Sequence, residues 1–202
     1  MTAPGPVPVQ AGAPFEVLVL CTANICRSPI AEILLGRALG GTEGIRVSSA
    51  GLHARTGSPV DEQMGRLLGG PVPDFAARQV SAQMIRTAGV VLTMTRQQRS
   101  AVVSAVPAAV RRTFTLPEFA DLVDLAGRSD AVPPAGTAAD RLAALTRQAP
   151  RLRSLRASGA HDDVDDPYGR DAAAYATAVS GIRQAVARIV RAVTPTPAGI
   201  PG

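Results

Sequence analysis

A near-continuous apolar run, Phe15 to Leu20 (FEVLVL), gives way at once to the polar CTANICRSP and then to the amphipathic IAEILLGRAL. Strand, tight loop and helix in that order commit the chain to an α/β beginning. Pro29 suits the first helical turn, where a missing N–H costs nothing, and Ser28 is placed to cap it. Gly40 and Gly41 stop the helix, and Ile45–Ala50 (IRVSSA) reads as a second strand ended by Gly51. Strand–helix–strand over about 35 residues is a βαβ unit.

The pattern continues. Pro59 opens an expected helix running to about Leu68, and Val80–Ala88 reads as another. Gly89–Met94 (GVVLTM) is a third strand, Thr95–Ala105 a helix, and Arg112–Leu116 (RTFTL) a fourth strand. The linker SDAVPPAGT precedes Ala138–Leu155, which reads as one or two peripheral helices broken by Pro150. Asp171–Val193 is a long helix with apolar residues recurring at three and four. The expected fold is a four-stranded parallel sheet with helices on both faces.

A chain of 202 residues, 46% hydrophobic, has room for one ordinary core. The domain is expected over 15–193, with an additional segment at about 127–161. Residues 1–14, holding four Pro, and residues 194–202 (TPTPAGIPG) read as disordered tails. All 21 basic residues are Arg, which removes every mechanism that needs a lysine amine. The net charge is +5, but the arginines are scattered and lack interleaved aromatics, which argues against nucleic acid. Two cysteines are too few for a disulfide framework and fit a reducing cytoplasm. No stretch approaches the roughly 18 apolar residues of a membrane span, so no membrane association is expected.

The chemistry concentrates in Cys21-Thr22-Ala23-Asn24-Ile25-Cys26-Arg27-Ser28. The cysteine falls at the carboxyl end of the first strand and the loop runs into a helix N-terminus, where open α/β sheets bind ligands and amides face anions. Beside that helix end and a guanidinium, Cys21 suits the thiolate, the nucleophilic form of the residue. Arg27 offers a planar fork for two oxygens of a tetrahedral oxyanion. The intervening amides form a nest for the others, Ser28 supplies a hydrogen bond to the sulfur, and Asn24 tolerates the left-handed conformation that such a loop needs. Cys26 reads either as loop packing or as a thiol able to trap Cys21 in a reversible disulfide.

A thiolate attacking a phosphoester needs an acid for the leaving oxygen. His53 and His161 lie in no motif, and two histidines cannot make a metal site with the cysteines committed elsewhere. The acidic run Asp162-Asp163-Val164-Asp165-Asp166-Pro167-Tyr168 is either a solvated loop or the source of that acid, because an Asp beside like charge and a bound dianion holds its proton more readily.

The segment Cys21–Pro29, followed by Ala31-Glu32, and the distant Asp166-Pro167-Tyr168 resemble the low-molecular-weight protein tyrosine phosphatases. Ser49-Ala50-Gly51, Ala77-Arg78-Gln79-Val80-Ser81 and Leu92-Thr93-Met94 are weaker echoes in the family's order. The resemblance implies a flavodoxin-like winding and a two-step hydrolysis of phosphotyrosine through a phosphocysteine. It implies Cys21 as nucleophile, Arg27 as phosphate clamp, Asn24 and Ser28 as the loop-shaping pair, and Asp166 as general acid and then base. No metal or organic cofactor is implied. The implied partner is a phosphotyrosine-containing protein, a tyrosine kinase or its target. Ala23 stands where the family often has Gly, and no aromatic follows Gly51, so Tyr168 and Leu52 are left to line the substrate ring. An arsenate reductase-like enzyme and a non-catalytic phospho-ligand module are the alternatives.

Overall fold

The computed structural model describes residues 13–39, 42, 44–128, 136–156 and 161–194. Four parallel strands, β1 (Phe15–Cys21), β2 (Ile45–Gly51), β3 (Val90–Thr93) and β4 (Thr113–Thr115), form one sheet in the order β2-β1-β3-β4. The chain leaves β1 to one side for β2 and returns to its other side for β3, so a crevice opens at the carboxyl ends of β1 and β3. Helices α1 (Arg27–Leu39), α2 (Glu62–Leu67), α3 (Ala82–Thr87), α4 (Arg96–Ala105), α5 (Leu116–Arg128), α6 (Ala138–Leu152) and α7 (Ala172–Val193) complete the fold. This is the parallel α/β sheet expected from the strand spacing, in the flavodoxin-like winding that the resemblance implies.

Alternation along β1 explains why it reads as a continuous apolar run. Val17, Val19 and Cys21 join one core with residues of α1, α5 and α7, while Leu18 and Leu20 join a second with Ile85 and Val102. Helix α7 is capped by Asp171, whose side chain accepts the Ala174 N–H at 2.9 Å. Its buried stripe of Tyr175, Val179, Ile182, Val186 and Ile189 packs on α1 and α5.

The structure differs from expectation in several places. Helix α2 starts at Glu62 because the Asp61 side chain caps it, accepting the Met64 N–H at 3.1 Å, and Pro59 stays in extended chain. Strand β4 ends at Thr115 because Leu116 already begins α5, a helix that the apolar pattern alone leaves unassigned. Its start is a reciprocal cap: Glu118 accepts the Thr115 N–H at 3.1 Å and Thr115 Oγ1 accepts the Glu118 N–H at 3.2 Å. Helix α6 is not peripheral, since Leu142, Leu145 and Ala149 belong to the main core. It also runs through Pro150 to Leu152 before a 3-10 turn, Arg153–Leu155, because a proline in the last turn forfeits only one ladder bond.

The expected tails lie outside the described residues except for Ala13, Pro14 and Thr194, as does the linker except for Gly136 and Thr137. Among the described residues, no helix is long and apolar enough to cross a membrane.

Candidate active site

The loop between β1 and α1 is organised around Asn24, which is fully buried and is the one non-glycine residue with positive φ, 56°, among the described residues. Its backbone N–H donates to Cys21 Sγ at 3.3 Å. Its side-chain amide donates to Ser28 Oγ at 2.9 Å and Ser49 Oγ at 2.8 Å, and its Oδ1 accepts the Arg78 N–H at 2.9 Å. Ser28 Oγ lies 3.0 Å from Cys21 Sγ. Because Ser28 already accepts from Asn24, its own proton is available to the sulfur. Ser49 in turn donates to Glu32 Oε2 at 2.6 Å, and burial pushes the Glu32 carboxyl above its ordinary value against that hydrogen bond.

Replacing Asn24 with Ala removes three side-chain hydrogen bonds inside a sealed network and puts a less tolerant residue in the left-handed region. The expected cost is about 2–4 kcal/mol, read as a lower midpoint in urea unfolding with unchanged slope.

The outer wall of the loop is the segment after β2. Leu52, His53 and Arg55 donate their backbone N–H groups to the carbonyls of Cys21, Thr22 and Ala23 at 2.9–3.0 Å, and Asp61 donates to Ile25 at 2.8 Å. These contacts fix the loop's carbonyls on that side. Gly51 permits this contact, since a Cβ there would stand 2.7 Å from the Thr22 carbonyl oxygen. Ala23 lies outside the left-handed region, so its Cβ strains nothing. Thr22 Oγ1 accepts from Gln98 Nε2 at 3.0 Å, while Gln98 Oε1 accepts the N–H groups of Met94 and Thr95.

Arg27 opens α1 and is 3% exposed. One Nη donates to the Val164 carbonyl at 3.0 Å and the other to Asp166 Oδ2 at 2.6 Å, bringing together residues 139 positions apart in sequence. Its Nε is buried without a hydrogen-bond partner. The Asp166 side chain is 53% exposed, and its Oδ1 accepts the Tyr168 N–H at 3.2 Å.

The loop carrying Asp166 is braced from several directions. Val164 donates to the Met94 carbonyl at 2.8 Å and Asp163 accepts the Arg96 N–H at 2.8 Å. Arg156, directly after the 3-10 turn that follows α6, pairs with Asp162 and with Asp121 of α5. Burial works against the Asp121 charge, but the guanidiniums of Arg156 and Arg188 hold its carboxyl below its ordinary value.

Cys26 is held as a thiol by its surroundings. Burial pushes it up to about 12, with Asp61, Cys21 and Asp166 adding to the rise and Arg27 opposing it. It is therefore a protonated packing residue at neutral pH. Iodoacetate at neutral pH is expected to modify Cys21 alone, with inorganic phosphate protecting it, as peptide mass mapping would report. Equal labelling of both cysteines would contradict this contrast.

Tyr168 is half-exposed, and Arg55 stacks on it with its guanidinium carbon 4.7 Å from the ring centroid and one Nη 2.7 Å from the hydroxyl. Leu52 packs instead against the second core, beside Val80 and Met84. His53 and His161 are exposed. Gln98, Arg55 and Arg156 were not singled out by sequence reasoning. Gln98 had a local signal in the capping pattern Thr95-x-x-Gln98, whereas the arginines had none in a chain with 21 of them.

The chain is similar to known proteins in sequence and fold. The family model described as low molecular weight phosphotyrosine protein phosphatase matches residues 16–130. The probable low molecular weight protein-tyrosine-phosphatase EpsP of Ralstonia nicotianae is 33% identical over 106 residues, covering 51% of this chain and 71% of that protein. A protein-arginine-phosphatase of Geobacillus stearothermophilus is 34% identical over 113 residues, covering 55% of this chain and 75% of that one. The solved structure of the YwlE arginine phosphatase from Geobacillus stearothermophilus aligns with a TM-score of 0.62 at 25% identity, over 88% of this chain and 91% of that chain. A match spanning the loop, the strands and the whole of α5 means that this chain belongs to the low molecular weight phosphotyrosine protein phosphatase family.

Proposed function

We propose that the chain hydrolyses phosphotyrosine on proteins through a phosphocysteine on Cys21. The Cys21 thiolate attacks phosphorus while the ester P–O bond breaks, and Asp166 protonates the departing phenolate oxygen. In the second step Asp166 takes a proton from water, the water oxygen attacks phosphorus, and the S–P bond breaks to return the thiolate and release inorganic phosphate. Arg27 and the loop residues Thr22, Ala23, Asn24, Ile25, Cys26 and Ser28 hold the phosphoryl oxygens, and donors aimed at developing charge lower the barrier to both steps.

The observation carrying this reading is Arg27. A guanidinium almost sealed from solvent keeps one buried N–H unpartnered, beside the sulfur's loop and bonded to the carboxylate that would serve as acid. A buried donor left unpaired is costly unless a ligand takes it. Arsenate reduction relayed through further cysteines has less support, because the second thiol is Cys26, pushed up to about 12 and poorly suited to attack.

Arg55 favours an aryl ester over phosphoarginine. Its guanidinium lies at the Tyr168 side of the site, where a cationic leaving group meets like charge and an aromatic ring meets apolar and π surface. The substrate is then a tyrosine kinase or one of its targets, in the reducing cytoplasm that keeps the thiolate competent. Side-by-side assays on a phosphotyrosine peptide and a phosphoarginine peptide of matched sequence test it. A higher kcat/KM on phosphotyrosine is expected, with the gap narrowing in Arg55→Ala; preference for phosphoarginine would reverse the assignment.

A further inference from the structure

At the amino-terminal edge of the sheet, opposite the nucleophile, a groove of about 490 Å³ runs between the 3-10 segment Pro107–Arg112 and α6. Its floor is apolar. The Phe15 ring lies directly on Gly89, where a Cβ would stand 2.6 Å from the ring, and Ala108 and Ala143 flank it. Its rim is Arg111, Arg112, Arg147 and Arg151, and no acidic residue lines it.

Among the described residues none of these arginines forms an ion pair, although Arg147 contributes, after the hydrogen bonds from Thr137, to holding the Asp140 carboxyl below its ordinary value. Arg112 donates only to backbone carbonyls, those of Ile85, Arg86, Ala88 and Ala108, so its charge is fixed in place and left uncompensated. Arg111, Arg147 and Arg151 are exposed and make no hydrogen bond or ion pair among the described residues. Arg147 and Arg151 are four apart on α6 and therefore share a face. The chain has five more basic than acidic residues in total, 21 against 16, and this groove gathers four arginines in one place, of which Arg147 has a nearby carboxylate, that of Asp140. Two of them come from α6, beyond the residues that match the family model.

We infer that this groove docks an acidic, apolar-containing peptide segment of the phosphoprotein substrate. The inference rests on the proposed function only for the identity of that partner. Guanidinium forks pair bidentately with carboxylates, and a charged rim around an apolar floor is the anatomy of a peptide interface rather than of a phosphate-only site. Nucleic acid fits less well, because no exposed aromatic stands among the arginines to stack a base. A lipid surface fits less well because the apolar atoms are recessed in the floor instead of projecting from it. From Phe15 to Cys21 is six residues of β1, about 20 Å at the usual strand rise. A tether of modest length therefore spans the groove and the active site, and docking raises the effective concentration of the phosphorylated residue.

The test uses the full chain and the double charge reversal Arg147→Glu/Arg151→Glu, with Arg111→Glu as an independent second variant; all three positions are exposed. A fluorescein-labelled peptide alternating glutamate and leucine is titrated by anisotropy. Wild type is expected to bind in a salt-sensitive manner, and each variant to bind roughly tenfold more weakly or worse. A phosphotyrosine peptide extended by that acidic segment is expected to show a higher kcat/KM than the unextended one, the advantage disappearing in the variants. Hydrolysis of p-nitrophenyl phosphate stays unchanged throughout, so its absence in wild type would sink the proposed function separately. Equal peptide affinity in wild type and variants overturns the docking site, as does binding of phosphatidylserine vesicles or a DNA oligonucleotide in preference to the peptide.

Discussion

Cys21→Ser is expected to reduce hydrolysis of p-nitrophenyl phosphate by roughly 10⁴–10⁶-fold, the scale of losing a covalent nucleophile, while leaving the fold intact. A serine hydroxyl is close to isosteric with the thiol. It still sits 3.0 Å or so from Ser28 Oγ and beneath the Asn24 N–H, so the loop keeps its hydrogen bonds. What is lost is ionisation: donors that suit a thiolate do not ionise an alcohol at neutral pH. Phosphate should therefore still raise the melting temperature of the variant, because Arg27 and the loop amides are untouched. Turnover near the wild-type rate would remove Cys21 from the chemistry, and loss of phosphate binding together with turnover would make it a residue of loop structure.

Asp166 carries the second large effect. Its carboxylate holds one Arg27 Nη at 2.6 Å, and in the proposed mechanism it also moves the proton, two separable duties. Asp166→Ala removes both, and Asp166→Asn keeps an acceptor for Arg27 while removing the acid. Both variants are expected to lower kcat/KM, which reports the first step, by about 10²–10⁴-fold on phenyl phosphate, whose leaving oxygen needs a proton, and by much less on p-nitrophenyl phosphate, whose leaving group departs as the anion. If Asn restores activity on phenyl phosphate, the residue positions Arg27 and is not the acid. At 53% exposure the carboxyl can exchange its proton with water between the two steps, which the double use as acid and base requires.

Much of this site is legible in sequence because its first half is local. Cys21, Asn24, Arg27 and Ser28 lie within one strand–loop–helix turn, and the strand run, the proline and the cap chemistry fix how that turn folds. The long α7 is equally plain, its stripe recurring on one face through to Val193. Asp166 was readable only through its Asp-Pro-Tyr neighbourhood, since nothing local says that residues 139 positions apart meet.

The parts that escaped are those decided by tertiary contact. Helix α5 starts with Leu116-Pro117, which looks like the end of a strand until the Thr115-x-x-Glu118 cap is noticed. Helix α6 looks peripheral because arginines flank its leucines, yet Leu142 and Leu145 face the core and Arg153 reaches back to Glu118 at 2.8 Å and stacks on Phe114. That anchoring has a consequence at the site: Arg156, directly after the 3-10 turn that follows α6, ties Asp162 of the acid loop to α5. In a chain whose cations are all arginine, composition cannot say which pairs form; only packing does.

The most direct measurement is rapid acid quench of the enzyme turning over an aryl phosphate, followed by peptide mass mapping. One phosphoryl group is expected on the peptide bearing Cys21, formed with a burst of phenol and accumulating further in Asp166→Asn when a good leaving group is used, because the second step then lacks its base. Turnover with no phosphorylated peptide, or with the phosphoryl group on His53 or any residue other than Cys21, would contradict the account.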